Sequence, residues 1–114
     1  MKRILVVDDE RQIIRMLRAS LQSSGYEVLT ASNGVEGLER FKSGRPDLII
    51  TDLAMPEMNG LELTQAVRRL DKTPVIVLSV RDTDGMKVKA LDEGADDYLT
   101  NILFMGFVLC RLRV

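Results

Sequence analysis

The sequence predicts an α/β fold: a doubly wound parallel sheet of five strands alternating with five helices. Three observations carry this. Short apolar runs rich in β-branched residues recur along the chain, as strands buried on both faces require. The segments between them switch to helical spacing. Glycine, proline and asparagine punctuate the switches. Strand and helix in strict alternation imply right-handed crossovers, with helices on both faces of the sheet.

Taken in order, Ile4-Leu5-Val6-Val7 is a continuous apolar run closed by Asp8-Asp9 and forms the first strand. Ile13, Ile14, Leu17 and Leu21 share one face of the first helix, and Gly25 marks its end. Glu27-Val28-Leu29-Thr30 is a weaker strand, expected at an edge. Val35, Leu38 and Phe41 mark a shorter second helix, stopped at Gly44. Leu48-Ile49-Ile50 is the third strand and closes at Asp52. Leu63, Ala66, Val67 and Leu70 match the i, i+3, i+4, i+7 template for the third helix. Val75-Ile76-Val77-Leu78 closes at Ser79 as the fourth strand. Val88, Leu91 and Ala95 mark a fourth helix that stops at Gly94, and Asp97-Tyr98-Leu99-Thr100 is the second edge strand. A fifth helix begins near Phe104. Pro46 and Pro74 fall just before strands, where a missing amide donor does least harm. Asn33-Gly34 and Asn59-Gly60 read as turns or helix starts.

Composition narrows the chemistry. The chain has 114 residues, enough for one domain with one core. Its 16 basic and 17 acidic residues give a net charge of −1, so no broad electrostatic footprint for nucleic acid is expected. The absence of histidine removes histidine-ligated metals and histidine general-base chemistry. A single cysteine, Cys110, cannot form an internal disulfide, which points to a reduced, cytoplasmic setting. The longest apolar stretch, Ile102 to Cys110, is far short of the roughly 20 residues that span a bilayer, so no membrane role is expected. Arg68-Arg69 and Arg111-Arg113 read as solvated helix charges.

In open α/β sheets, ligands bind beyond the carboxyl ends of the strands. Asp8 and Asp9 end the first strand, Asp52 the third, and Ser79 the fourth. If the first and third strands are neighbours, three carboxylates converge at one edge. Such a cluster, with no histidine or cysteine, suits a hard cation such as Mg²⁺. The competing reading is that an aspartate at a strand end is only the N-cap of the next helix.

These residues carry a recognisable pattern. Ile4-Leu5-Val6-Val7-Asp8-Asp9-Glu10, Asp47-Leu48-Ile49-Ile50-Thr51-Asp52-Leu53-Ala54-Met55-Pro56, Met58-Asn59-Gly60-Leu61-Glu62 and Gly94-Ala95-Asp96-Asp97-Tyr98-Leu99-Thr100 together resemble a bacterial response-regulator receiver domain of the CheY-like family. The likeness is greatest to receivers joined to winged-helix transcription factors of the OmpR/PhoB type, and it covers roughly residues 2 to 100. It implies a flavodoxin-like sheet with strand order 2-1-3-4-5. It implies that Asp52 accepts a phosphoryl group from a histidine kinase, that Mg²⁺ is held by Asp8, Asp9, Asp52 and the backbone carbonyl of Ala54, and that Ser79 hydrogen-bonds the phosphoryl group. Tyr98 would be the aromatic whose rotamer reports the switch. Beyond self-catalysed phosphoryl transfer and hydrolysis, no enzymatic activity is implied.

After Thr100 the sequence departs from the family, which has Lys-Pro-Phe there with a cis bond before the proline. This chain has Asn101-Ile102-Leu103. Asn101 donates a hydrogen bond but brings no charge. A cis bond before Ile102 would cost about 2.5–4 kcal/mol against roughly 0.5–1 before proline, so a trans bond and a displaced loop are expected. Residues 101–114 hold ten apolar residues and no acid. Phe104 and Phe107 lie one turn apart on a side expected to face water, and exposed apolar patches mark interfaces. The family's acidic partner for Lys87 is missing at Phe107. Lys87, Asp96, Asp97 and Arg111 still match a dimerisation face made by the fourth helix, fifth strand and fifth helix. The chain also stops about a turn short of the family's usual last helix. A second reading follows: a phosphorylation-independent module that self-associates through its apolar last helix.

Overall fold

The computed structural model describes residues 2–79, 89–99 and 106. Five parallel strands form one sheet in the order β2-β1-β3-β4-β5. They are β1 (Arg3–Val7), β2 (Glu27–Ala31), β3 (Leu48–Asp52), β4 (Val75–Leu78) and β5 (Asp97–Leu99). Among the described residues the linking helices are α1 (Arg11–Ser23), α2 (Gly34–Gly44) and α3 (Gly60–Leu70). Residues 89–92 are helical and lead into β5. The two weaker strands lie at the two edges, as their shorter apolar runs suggest. Of the expected fifth helix only Gly106 is among the described residues, and it is helical.

Alternation within the central strands divides the core into two layers. Leu5, Val7, Ile49, Val75 and Val77 face α2 and α3, together with Phe41, Leu63 and Val67. Ile4, Val6, Leu48, Ile50, Ile76 and Leu78 face α1, through Leu17 and Leu21. Burying a side chain of this size fully contributes about 1.5–3 kcal/mol. Because the three central strands are apolar on both faces, neither layer is optional. Sequence and topology therefore agree on a sheet covered on both sides.

Both asparagine signals start helices. Asn33 is the N-cap of α2, its side chain accepting from the Glu36 amide at 2.8 Å. Asn59 closes a reciprocal box at α3: it accepts from the Glu62 amide at 2.9 Å, and the Glu62 carboxylate accepts from the Asn59 amide at 3.1 Å. Asn59→Ala is expected to lower stability by about 1 kcal/mol. It should be seen as a lower urea midpoint at unchanged slope; a midpoint like the parent's would show that the box contributes nothing.

Three local expectations need correction. In α2 the side chain turned to the sheet is not Val35, which is 40% exposed. The helix instead sets Gly34, Gly37 and Phe41 inward. A Cβ on Gly37 would lie 3.0 Å from the Val7 side chain, so the missing methyl sets the helix–sheet distance. The left-handed residue ending α2 is not Gly44 but Arg45, with φ 47°. Pro46 follows it, and a residue before proline is disfavoured in the right-handed helical region. Gly44 stays helical, where a Cβ would run into Leu29. In α3, Leu70 is 57% exposed, because the helix ends there. It flanks an open groove lined also by Phe41, Arg45 and Pro46. Gly25 does end α1 in the left-handed region, at φ 92°.

Among the described residues, no helix is long and apolar enough to cross a membrane.

Candidate functional site

The register of the sheet builds the site. Val7 pairs with Thr51 as the last pair of β1 and β3, so Asp8 emerges beside Asp52. Asp52 pairs with Leu78 on the other side, so Ser79 emerges next. Three strands thus deliver Asp8, Asp52 and Ser79 to one carboxyl edge, with Asp9 following Asp8. One carboxylate oxygen from each of Asp8, Asp9 and Asp52 lies within 4.8 Å of the other two. Asp8 is buried, Asp52 half-buried and Asp9 exposed.

The helix-capping alternative fails for all three. The N-cap of α1 is Glu10, and no side chain caps it. The N-cap of α3 is Asn59, seven residues beyond Asp52. The carboxylates of Asp8 and Asp52 are each oriented by the chain beside them. Asp8 Oδ1 accepts from the Glu10 amide at 2.9 Å. Asp52 Oδ1 accepts from the Leu53 amide at 2.8 Å. The Ala54 amide also bears on the Asp52 carboxylate, which puts Ala54 on the loop at the mouth of the site.

Electrostatics set this cluster apart from a structural ion pair. Burial pushes the Asp8 carboxyl up to about 6, against the Glu10 amide; the charges of Asp52, Asp9 and Glu10 raise it further. Asp52 is also raised, by burial first, opposed by the Leu53 and Ala54 amides, with Asp9 and Glu10 adding repulsion. The charges that act most on either among the described residues are all negative. Crowded, partly desolvated carboxylates of this kind gain most from a divalent cation. The donor set also fits one: all oxygen, small and open on one side. One small cation would be able to draw all three together, since their oxygens already lie within 4.8 Å of one another.

Of the other predicted residues, Ser79 is 3% exposed and lies at the end of β4. Tyr98 is 5% exposed, packed in the core layer with Val77, Ala90 and Ala95. Asp96 does not simply face outward. Its Oδ2 accepts from Arg68 at 2.6 Å and from the Val75 amide at 2.8 Å within the same chain. Asp97 lies on β5, paired with Ile76. Lys87, Asn101, Phe104, Phe107 and Arg111 lie outside the described residues, and with them the altered loop and all of the last helix but Gly106.

Two residues at the site escaped the sequence reading. Glu10 is a fourth carboxylate whose charge raises both Asp8 and Asp52. Its place directly after two aspartates was the signal. Gly60 is the other: a Cβ there would lie 2.2 Å from the Asp52 carbonyl oxygen, and its amide donates to the Leu53 carbonyl at 2.9 Å. Nothing local in the sequence announces that contact.

Comparison with known proteins agrees with this geometry. Residues 4–102 match the response regulator receiver domain family. The transcriptional regulatory protein KdpE of Mycobacterium tuberculosis is 46% identical over 110 residues, which is 96% of this chain and 49% of that protein. The response regulator MprA of Mycobacterium ulcerans is 45% identical over 97% of this chain and 48% of its own length. The chain thus spans about half the length of these curated relatives. Among solved structures, the chemotaxis response regulator CheY4 of Vibrio cholerae superposes with a TM-score of 0.90 at 35% identity, covering 98% of each chain. The response regulator TrrA of Thermotoga maritima, solved in complex with Mg²⁺–BeF, gives 0.86 at 36% identity, covering 99% of this chain and 97% of that one. The sheet order, the three strand-end aspartates and these likenesses meet in one conclusion: the chain belongs to the response regulator receiver domain family of two-component signalling.

Proposed function

We propose that this receiver accepts a phosphoryl group on Asp52 from the phosphohistidine of a histidine kinase, with Mg²⁺ held by Asp8, Asp9, Asp52 and the Ala54 carbonyl. The observation that carries this is the convergence of three carboxylates within 4.8 Å, none of them used as a helix cap. A structural neighbour of 36% identity was solved with Mg²⁺–BeF, and that complex supports the assignment of the cation.

An oxygen of Asp52 attacks the phosphorus in line. The bond from phosphorus to the kinase imidazole breaks, the imidazole nitrogen leaves with the electron pair, and an acyl phosphate forms. When bound, the cation neutralises charge on the phosphoryl oxygens. The Leu53 amide orients the attacking carboxylate through its second oxygen. The Ser79 hydroxyl donates to the transferred group, and Asn101, standing where the family has lysine, offers an amide donor without charge. A receiver is a signalling module; the chemistry assigned to this one is limited to its own phosphorylation and hydrolysis. The structural change passes on to Tyr98.

The test is to incubate the protein with Mg²⁺ and a small-molecule phosphodonor and record intact mass beside Asp52→Ala. Gain of one phosphoryl group in the parent alone is expected. No gain in the parent, or an equal gain in the variant, overturns the assignment.

A further inference from the structure

Arg68, read from the sequence as a solvated charge, is fully engaged. Its Nε donates to the Gly94 carbonyl at 2.8 Å, one terminal nitrogen to the Thr73 carbonyl at 2.6 Å, and the other to Asp96 Oδ2 at 2.6 Å. Three acceptors from three segments meet one planar fork: the turn after the helical residues 89–92, the approach to β4, and the approach to β5. Only arginine presents donors in three such directions at once.

The surroundings are shaped to admit it. Gly94 has φ 102°, and a Cβ there would come within 2.9 Å of the Arg68 Cγ. Glycine is thus needed twice, for the backbone and for the passing side chain. Asp96 Oδ2 is shared with the Val75 amide at 2.8 Å, and the Asp96 amide donates to the Val75 carbonyl at 2.7 Å. One turn earlier on α3, Gln65 donates to the Glu93 carboxylate at 2.6 Å.

This matters because β5 is weak alone. Among the described residues it has three positions, lies at an edge and pairs only with β4. Short edge strands have few ladder bonds to hold them. The other end of α3 begins at Gly60, against the Asp52 carbonyl. Its 11 residues make a rod about 16 Å long between the acid pocket and the 93–96 turn.

We propose that Arg68 is a positioning residue for the switch: it pins the 93–96 turn to the end of α3 and so sets where β5, with Tyr98, sits against β4. The part concerning the switch rests on the assignment of Asp52 and Tyr98 above; the pinning does not.

The experiment uses Arg68→Met and Arg68→Lys in a Tyr26→Phe background. The chain has two tyrosines and no tryptophan, so Tyr98 is then the single fluorophore. Hydrogen exchange is followed strand by strand, and phosphorylation by a small-molecule donor is measured in parallel. Arg68→Met is expected to raise exchange of the β5 amides about ten-fold, with β1 and β3 unchanged and phosphorylation of Asp52 retained. The change in Tyr98 emission on adding Mg²⁺ and beryllofluoride should shrink with it. Arg68→Lys, which keeps the charge and part of the hydrogen bonding, should recover part of both. Equal acceleration in every strand would mean a merely global loss of stability and overturns the proposal. So does β5 exchange like the parent's. If the parent itself is not phosphorylated and shows no beryllofluoride response, the Asp52 assignment fails, while the exchange comparison still decides the pinning.

Discussion

Gly60→Ala is expected to lose about 3 kcal/mol of stability and most of its Mg²⁺ affinity. The added methyl would lie 2.2 Å from the Asp52 carbonyl oxygen and 3.1 Å from Leu53 Cα. Neither is the yielding end of a side chain. Either α3 moves away from β3 or the Asp52–Leu53 backbone turns. Overpacking of this kind costs about 1–3 kcal/mol and more where the obstacle is rigid. Moving the backbone also turns the Asp52 carboxylate out of the cluster, because the Leu53 amide that orients it moves too. Gly25→Ala is the proper comparison. There a Cβ meets nothing within 4 Å, and the only cost is the left-handed backbone at φ 92°, about 1–2 kcal/mol. That variant should lose stability but bind Mg²⁺ like the parent. Urea unfolding and calorimetric Mg²⁺ titration of both variants check this; parent-like affinity in Gly60→Ala would show that the contact does not position Asp52.

Gly60 also shows where sequence reading stops. The strands were legible because a strand buried on both faces is a local pattern, as in Ile4 to Val7 and Val75 to Leu78. The asparagine signals were legible only as turns or helix starts; that Asn59 closes a box with Glu62 came from the structure. The acid site was legible because Asp8, Asp52 and Ser79 each follow such a run, and neighbouring strands bring their ends together. Helix faces were read less well. The apolar period favours bulky residues, whereas α2 approaches the sheet through Gly37, and Val35 is left outside. The Arg68 contacts join residues 26 and 28 positions apart. A charge beside another charge on a helix carries no trace of them. The departures after Thr100, clear in the sequence, lie beyond the described residues.

The acid cluster should make the metal-free protein less stable as pH rises. For Asp8 the sign follows from its carboxyl standing at about 6 in the fold against an ordinary 3.8. Between those values the folded chain binds more protons than the unfolded one, so stability falls as pH climbs through the window. Above about 6 the penalty is complete, at about 3 kcal/mol for a rise of this size. Asp52 is raised as well and adds to the fall with the same sign. Asp8→Asn removes the buried charge while leaving an oxygen to accept from the Glu10 amide. It is therefore expected to be more stable than the parent by about 2–3 kcal/mol at pH 7 without metal, and to differ little at pH 4. Mg²⁺ should close most or all of that gap. A cation at a hundredfold excess over its dissociation constant adds about 2.7 kcal/mol to a protein that binds it only when folded, and the parent receives this while the variant, short of one carboxylate, receives little. Urea unfolding at pH 4 and pH 7, with and without Mg²⁺, separates the cases. An Asp8→Asn variant that is less stable than the parent at pH 7 without metal would show that Asp8 serves the fold. Closure of the gap by Mg²⁺ would show that the three crowded carboxylates cost the metal-free fold stability that a bound cation restores.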